Sequence, residues 1–171
     1  MRDLRFQTSV TVTSSASPPV VYETVTDLKA HLVWSGERAS DDGFKLLSLE
    51  GPDGAAGVGT TFSSTGSNFN GTFHDRSVVT EASPPSLFVI QTEARLERKR
   101  GKPWEVQFIH RYDIESDGNG SRITYTDTTH RMNYVPYWLK APLRPITSAT
   151  IRKGDTQQLT NLARLAEERA S

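Results

Sequence analysis

One imidazole and one carboxylate in this chain are spaced so that a hairpin would bring them together. In the segment Trp104 to Glu115, the residues Trp104, Val106, Phe108, His110, Tyr112 and Ile114 alternate with Glu105, Gln107, Ile109, Arg111, Asp113 and Glu115, so the first set forms the face to bury. Asp117-Gly118-Asn119-Gly120 then reads as a hairpin turn into a second strand, Arg122 to Arg131. Counting back from the turn sets Ser116 against Ser121, Glu115 against Arg122, Ile114 against Ile123, Tyr112 against Tyr125 and His110 against Asp127. His110 and Asp127 are thereby expected side by side on the inner face. A carboxylate beside an imidazole in an apolar wall fixes the tautomer and raises the ring's basicity, as proton transfer from a bound carbonyl compound requires. A slip of one residue turns Asp127 outward. The same pair also reads as two buried polar groups that satisfy each other, because leaving either without a partner costs ~1–3 kcal/mol. Arg131, in phase with Asp127, is placed either to meet a ligand carboxylate or phenolate or to be solvated, and Thr129 to hydrogen-bond a ligand.

Other motifs carry less chemistry. Gly57-Val58-Gly59 lacks a third glycine at the dinucleotide spacing and precedes a strand, so it reads as a turn. His31, His74, His110 and His130 show no metal-ligand spacing, and His130 and His110 are expected on opposite faces of their hairpin, so no metal is implied. There is no nucleophile elbow and no phosphate loop. The basic run Arg95 to Lys102 reads as a solvated hairpin tip that blunts a sheet edge, the alternative being contact with a phosphate or an acidic partner.

The elements that must hold these residues are legible from turn chemistry and periodicity. An alternating strand, Phe6 to Thr13, is followed by Ser17-Pro18-Pro19, where Ser17 is expected to cap a helix that accepts Pro18 in its first turn and runs through Val20 to Leu28. A second short helical turn carries Trp34. Strands are then expected at Phe44 to Glu50, Thr60 to Ser64, Thr72 to Glu81 and Leu87 to Leu96, ahead of the hairpin pair. Ile146, Thr150, Ile151, Leu159, Leu162, Ala163 and Ala166 recur at helical spacing and predict a closing helix from Ile146 to Glu168. Gly154 lies inside it, which points to a bend or to a close approach of another backbone.

Composition narrows the function class. A length of 171 residues suits a single domain spanning 1–171. Twenty basic and twenty acidic side chains cancel to a formal charge of +0, so no net field draws the chain to nucleic acid or an anionic membrane. The absence of Cys excludes disulfides and thiolate chemistry. The opening residues lead into a strand instead of a secretory signal, and no apolar run reaches the ~18 residues of a membrane span, so the chain reads as cytoplasmic.

The order strand, two short helices, six strands and one helix carries a resemblance. With Val12 before the first helix, Asp27 closing it, Trp34 a few residues on, Gly57-Val58-Gly59-Thr60 opening a strand, and Val79-Thr80-Glu81 running to Pro84-Pro85, the chain resembles the START-like or SRPBCC superfamily. Within it, the polyketide cyclase/dehydrase and lipid-transport family is most similar. The resemblance implies an α+β helix-grip (Bet v 1-like) fold: a curved, seven-stranded antiparallel sheet around a long C-terminal helix, with a hydrophobic ligand between them. It places Trp34 at the cavity rim, in contact with ligand or else anchoring its helix. Phe62, Phe73, Phe88, Ile90, Phe108, Tyr112 and Tyr125 are expected to line the pocket, and His110, Asp127 and Arg131 to orient the ligand's polar groups. Met132 to Leu139, including Trp138, is expected to be a lid or a packed connection. Three functions follow: a carrier of a lipid-like or polyketide-like aromatic molecule; a cofactor-independent cyclase or dehydrase using His110 and Asp127; or a protein-interaction module without ligand. A homodimer is compatible with each.

Overall fold

The computed structural model describes residues 6–40, 43–132 and 137–171, with the side chains at 6 and 131–150 outside that description. Strand β1 (Phe6–Ser14) is followed by helices α1 (Pro18–Thr26) and α2 (Leu28–His31) and a π-helical segment, Leu32–Glu37. Then come β2 (Lys45–Glu50), β3 (Thr61–Asn68), β4 (Gly71–Ser83), β5 (Leu87–Arg98), β6 (Trp104–Asp117), β7 (Gly120–Met132) and α3 (Tyr137–Ala170). The strands form one antiparallel sheet in the order β1-β7-β6-β5-β4-β3-β2. Six of the seven therefore pair as successive hairpins, and the first strand closes the far edge beside the last. Register shifts at Leu46/Ser48, Val79/Glu81 and Gln107/Phe108 break the ladder, as bulges that bend a sheet do.

The hairpin between β6 and β7 has the pairing its turn dictates, Tyr112 with Tyr125 and His110 with Asp127. Gly118 opens the turn with φ +59°, a conformation that costs glycine nothing. At Gly120 the requirement is space: a Cβ there would run into the carbonyl oxygen of Ser14, where the end of β1 meets the start of β7. Ser121 seals the same crossing with a hydroxyl bond of 2.6 Å to the Ala16 carbonyl.

Packing joins α1 and α3 to one end of the sheet. Val21 and Val25 of α1, Leu159, Leu162 and Ala166 of α3, and Phe88, Ile114 and Ile123 of the sheet form a single buried cluster. Tyr22 meets Phe88 edge-on, with ring centroids 6.4 Å apart. Ser14 ties β1 to α3 through the Ala163 carbonyl at 3.3 Å and the Glu167 carboxylate at 3.2 Å.

Three local expectations are corrected. Ser17 occupies the N-cap of α1 in an extended conformation but makes no capping bond with its side chain. A capping oxygen takes the N–H of the second or third helical residue, and with prolines at the first two positions only Val20 retains one. Asp27 does cap: its carboxylate accepts from the Lys29 N–H at 3.1 Å and opens α2. Helix α3 begins at Tyr137 instead of Ile146, through turns whose Pro142 and Pro145 interrupt the apolar periodicity. Gly154 has open space where a Cβ would stand, with nothing within 4 Å, so no backbone approaches it. Gly154→Ala is expected to stabilise the helix by about 0.5–1 kcal/mol. Thermal unfolding checks this, and a lower Tm for the variant would contradict it.

Candidate functional site

The inner face of the sheet is apolar where α1 and α3 cover it and turns polar one row further on. There the paired residues Thr8 (β1), Asp127 (β7) and His110 (β6) lie abreast, with Ile90 of β5 next in line. The register alone puts these side chains together. Their bonding differs from the expected ion pair. The Nδ1 of His110 is 2.7 Å from the Tyr125 hydroxyl, either donating to it or accepting from it according to the tautomer. Its distance to Asp127 Oδ1 is 3.7 Å, beyond a hydrogen bond. Asp127 Oδ1 is buried without a partner, as are Asp75 Oδ1 and Trp34 Nε1 among the described residues.

Burial governs the charges in this row. Desolvation pulls the His110 imidazole down to about 4, with His31 adding repulsion. Desolvation also pushes the Asp127 carboxyl up to about 8, helped by the nearby Asp155 carboxyl of α3. Asp155 itself is raised to about 6 by burial, against a hydroxyl bond from Thr8 at 3.0 Å that favours its ionised form. Burial likewise raises the phenols of Tyr112 and Tyr125. At neutral pH His110 is a neutral imidazole and Asp127 mostly a neutral acid. The expectation that a charged Asp127 raises the basicity of His110 is corrected: loss of water, the largest cause of both shifts, favours the neutral form of each group.

Aromatic rings surround the pair. His110 lies near Phe108 at 5.7 Å and parallel to Tyr125 at 6.1 Å, and Tyr125 packs on Tyr112 at 4.9 Å. Trp34 meets Tyr112 edge-on at 6.5 Å and His31 at 4.7 Å. His31 donates its Nε2–H to the Val25 carbonyl at 2.7 Å, since a carbonyl only accepts, and burial lowers its pKa.

The remaining expected ligand residues fall into three groups. Phe62, Phe73, Phe108 and Tyr125 are half-buried, with Phe73 also edge-on to Phe44 at 5.6 Å. Ile90, Tyr112 and Thr129 are buried, and Trp34, at 3% exposed, sits in the core cluster and not at a rim. Phe88 is 0% exposed, so no water-sized space touches it and its place in a pocket lining is withdrawn. Arg131 and Trp138 have side chains outside the described residues, and so has the whole of the expected lid, Met132 to Leu139. At the bulge in this hairpin the register shifts, so that Thr129 pairs with Phe108 and Arg131 with Gln107.

Sequence reasoning missed Asp155, Thr8 and Asp75. Asp75 is raised to about 7 by burial, opposed by a bond from Ser64. Its signal was present, since Phe73, Asp75, Ser77 and Val79 alternate onto the inner face. Asp155 and Thr8 meet only because α3 crosses β1, which no local pattern announces. An open depression of about 760 Å³ lies over β2 to β6, lined by His74, Asp75, Arg76, Glu93 and Arg95 among others, and none of the expected ligand residues lines it.

No protein-family model and no curated protein matches the chain. Solved structures do. Ara h 8.0201 superimposes with a TM-score of 0.64 at 14% identity, over 96% of this chain and 99% of that one. The Mll3558 protein from Rhizobium loti gives 0.63 at 18%, over 95% and 98%. The chain shares with them the helix-grip fold, a curved seven-stranded antiparallel sheet around a long C-terminal helix. DynU16, from the dynemicin biosynthetic locus, shares this fold with a TM-score of 0.55 at 16% identity, over 96% of this chain and 48% of that one. In this helix grip the polar row Thr8, Asp127, His110 lies beneath α3, where Asp155 answers it from the helix side. Among the described residues, no group of three or more His, Asp or Glu is arranged to hold a metal ion, and no helix is long and apolar enough to cross a membrane.

Proposed function

We propose that the protein binds an aromatic or lipid-like small molecule between the sheet and α3, with His110 and Asp127 orienting its polar groups. One observation carries the reading. His110 and Asp127 keep 25% and 12% of their side-chain surface accessible to a water-sized sphere, yet desolvation is the main cause of both pKa shifts. Open surface on two polar groups set among half-buried rings, on the sheet face that α1 and α3 cover, supports a space for a guest. Half-buried Phe108 and Tyr125 border it with apolar area worth ~25 cal/mol per Å² once a guest covers it. Mass spectrometry of small molecules that copurify with the native protein tests the proposal. An aromatic or lipid-like guest released on denaturation is the expected result. Repeated absence of any guest, together with no binding of a hydrophobic fluorescent probe, would overturn it.

A second reading, a cofactor-independent cyclase or dehydrase, is favoured by the charge state of the same pair. A neutral acid near pH 8 can give up a proton, and a neutral imidazole can accept one. Holding a reactive carbonyl compound folded against these groups would supply much of the rate. The fold shared with a protein of the dynemicin locus supports this reading at the level of architecture. His110→Gln and Asp127→Asn separate the two. For an enzyme, turnover of the copurified compound or its precursor falls by about 10²-fold or more while affinity holds. For a carrier, affinity falls in both variants and no turnover is seen at the start.

A further inference from the structure

The basic run Arg95 to Lys102 takes no part in the interior site. Five of its eight residues are basic and one is acidic, a local excess inside a chain whose charges cancel overall. Its glutamate, Glu97, lies 4.0 Å from Arg95 and 3.8 Å from His74. The guanidinium of Arg98 rests over the Trp104 ring, 4.2 Å from its centroid. Lys99, Arg100 and Lys102, between β5 and β6, are exposed and join no ion pair among the described residues. Three exposed cations thus share one hairpin tip.

The turn between β3 and β4 brings an apolar ring beside them. Gly71 pairs with Arg98, the last residue of β5. Its φ of +153° suits glycine, and a Cβ there would run into the Glu97 carbonyl, so the two turns lie against each other. Asn70 donates its N–H to the Asn68 side chain at 2.8 Å, which closes a tight turn around Phe69. Phe69 is 72% exposed, more than any other large apolar side chain among the described residues. A lone exposed ring is ordinary, but a ring set beside three unpaired cations combines the two attractions that hold a protein at a lipid surface.

We infer that these two turns dock the protein on an anionic phospholipid bilayer, with Phe69 entering the boundary of the acyl chains and Lys99, Arg100 and Lys102 among the lipid headgroups. Each cation held near an anionic leaflet strengthens binding by about fivefold, an attraction that reaches about 10 Å at 0.1 M salt. The zero net charge of the chain does not oppose this, because at that range the surface responds to the tip and not to the whole molecule. Single-stranded nucleic acid fits the tip less well. Its bases stack on rings laid along a groove, whereas Phe69 stands on a projecting turn and Arg98 already covers Trp104. The inference goes beyond the ligand-binding reading and does not rest on it, since the docking surface is complete without a guest.

Cosedimentation of the full chain with vesicles tests the surface, using phosphatidylcholine alone and phosphatidylcholine with about 30 mol % phosphatidylserine. The expected result is binding to the serine-lipid vesicles only, weakened about tenfold or more when salt rises from about 0.1 to 0.5 M. Phe69→Ser is expected to weaken it by about fivefold, and Arg100→Gln combined with Lys102→Gln by about 25-fold. All three positions are exposed, so these variants keep the fold. Because the chain contains no cysteine, Phe69→Cys takes a single acrylodan label, whose emission is expected to shift to the blue on the serine-lipid vesicles. Absence of binding, equal binding to both kinds of vesicle, or a label that does not shift overturns the proposal. So does tighter binding of an oligothymidylate or of polyglutamate than of the vesicles, which would make the tip a site for nucleic acid or for an acidic protein.

Discussion

Raising the pH from 6.5 to 8.5 will lower the stability of the ligand-free protein by about 2 kcal/mol, or roughly 4–8 °C in Tm. Asp127→Asn will remove most of that loss. A carboxyl whose folded pKa exceeds its unfolded value holds a proton in the native state that the unfolded chain has released, so its contribution is full below about pH 4 and declines until the folded pKa is passed. Asp127 at about 8 and Asp75 at about 7 therefore act within the window, whereas Asp155 at about 6 has nearly finished. His110 and His31 act in the opposite sense. Their lowered pKa values make folding cost more while the unfolded imidazoles bind protons, and this penalty ends as pH rises past about 6.5. Below that pH the two imidazoles offset the carboxyls, and above it the carboxyls act almost alone. The raised phenols of Tyr22, Tyr112 and Tyr125 lie beyond the alkaline end. Tm measured at pH 6.5, 7.5 and 8.5 on both proteins is the check. If the Asn variant loses as much stability as the parent, Asp127 is not the buried proton holder described here.

Asn161→Leu will cost about 2–4 kcal/mol, because a side chain of similar size leaves two backbone carbonyls without their donor. The Asn161 amide, buried on α3, donates to the Trp34 carbonyl at 3.1 Å and to the Arg38 carbonyl at 2.7 Å. These bonds hold both ends of the turn that carries Trp34 against Tyr112. A few residues on, Arg38 and Glu168 make a two-pronged ion pair at 3.0 and 2.7 Å between the same two segments. That pair lies at the surface, where water and salt weaken it, so Glu168→Ala is expected to cost under about 1 kcal/mol. Denaturant unfolding of the two variants decides the comparison. Equal costs, or a larger one for Glu168→Ala, would mean that the surface pair and not the buried amide ties α3 to the Trp34 segment.

The parts of this site that were legible in the sequence are local. His110 and Asp127 are 17 residues apart, but one tight turn at Asp117 to Gly120 transmits its register along both strands, so the pairing could be counted out. The same counting does not run on past Thr129, because the register shifts by one residue between Thr129 and Arg131. Asp155 was invisible for a different reason. It belongs to the polar residues of a helix pattern, and only the crossing of α3 over β1 brings it to Thr8. Phe88 matched the alternation of the inner face as well as Phe108 does, yet α1 covers the first and leaves the second half-open.

By itself, then, the amino-acid order determined the succession of elements, the alternation of each strand and the juxtaposition of His110 with Asp127, since all of these follow from backbone geometry over short spans. Only the tertiary structure decided the protonation of that pair, the approach of Asp155 and the sealing of Phe88. Desolvation depends on every atom around a group, and the atoms that surround Asp127 come from strands and a helix up to 147 residues apart in the chain, as Thr8 and Asp155 are.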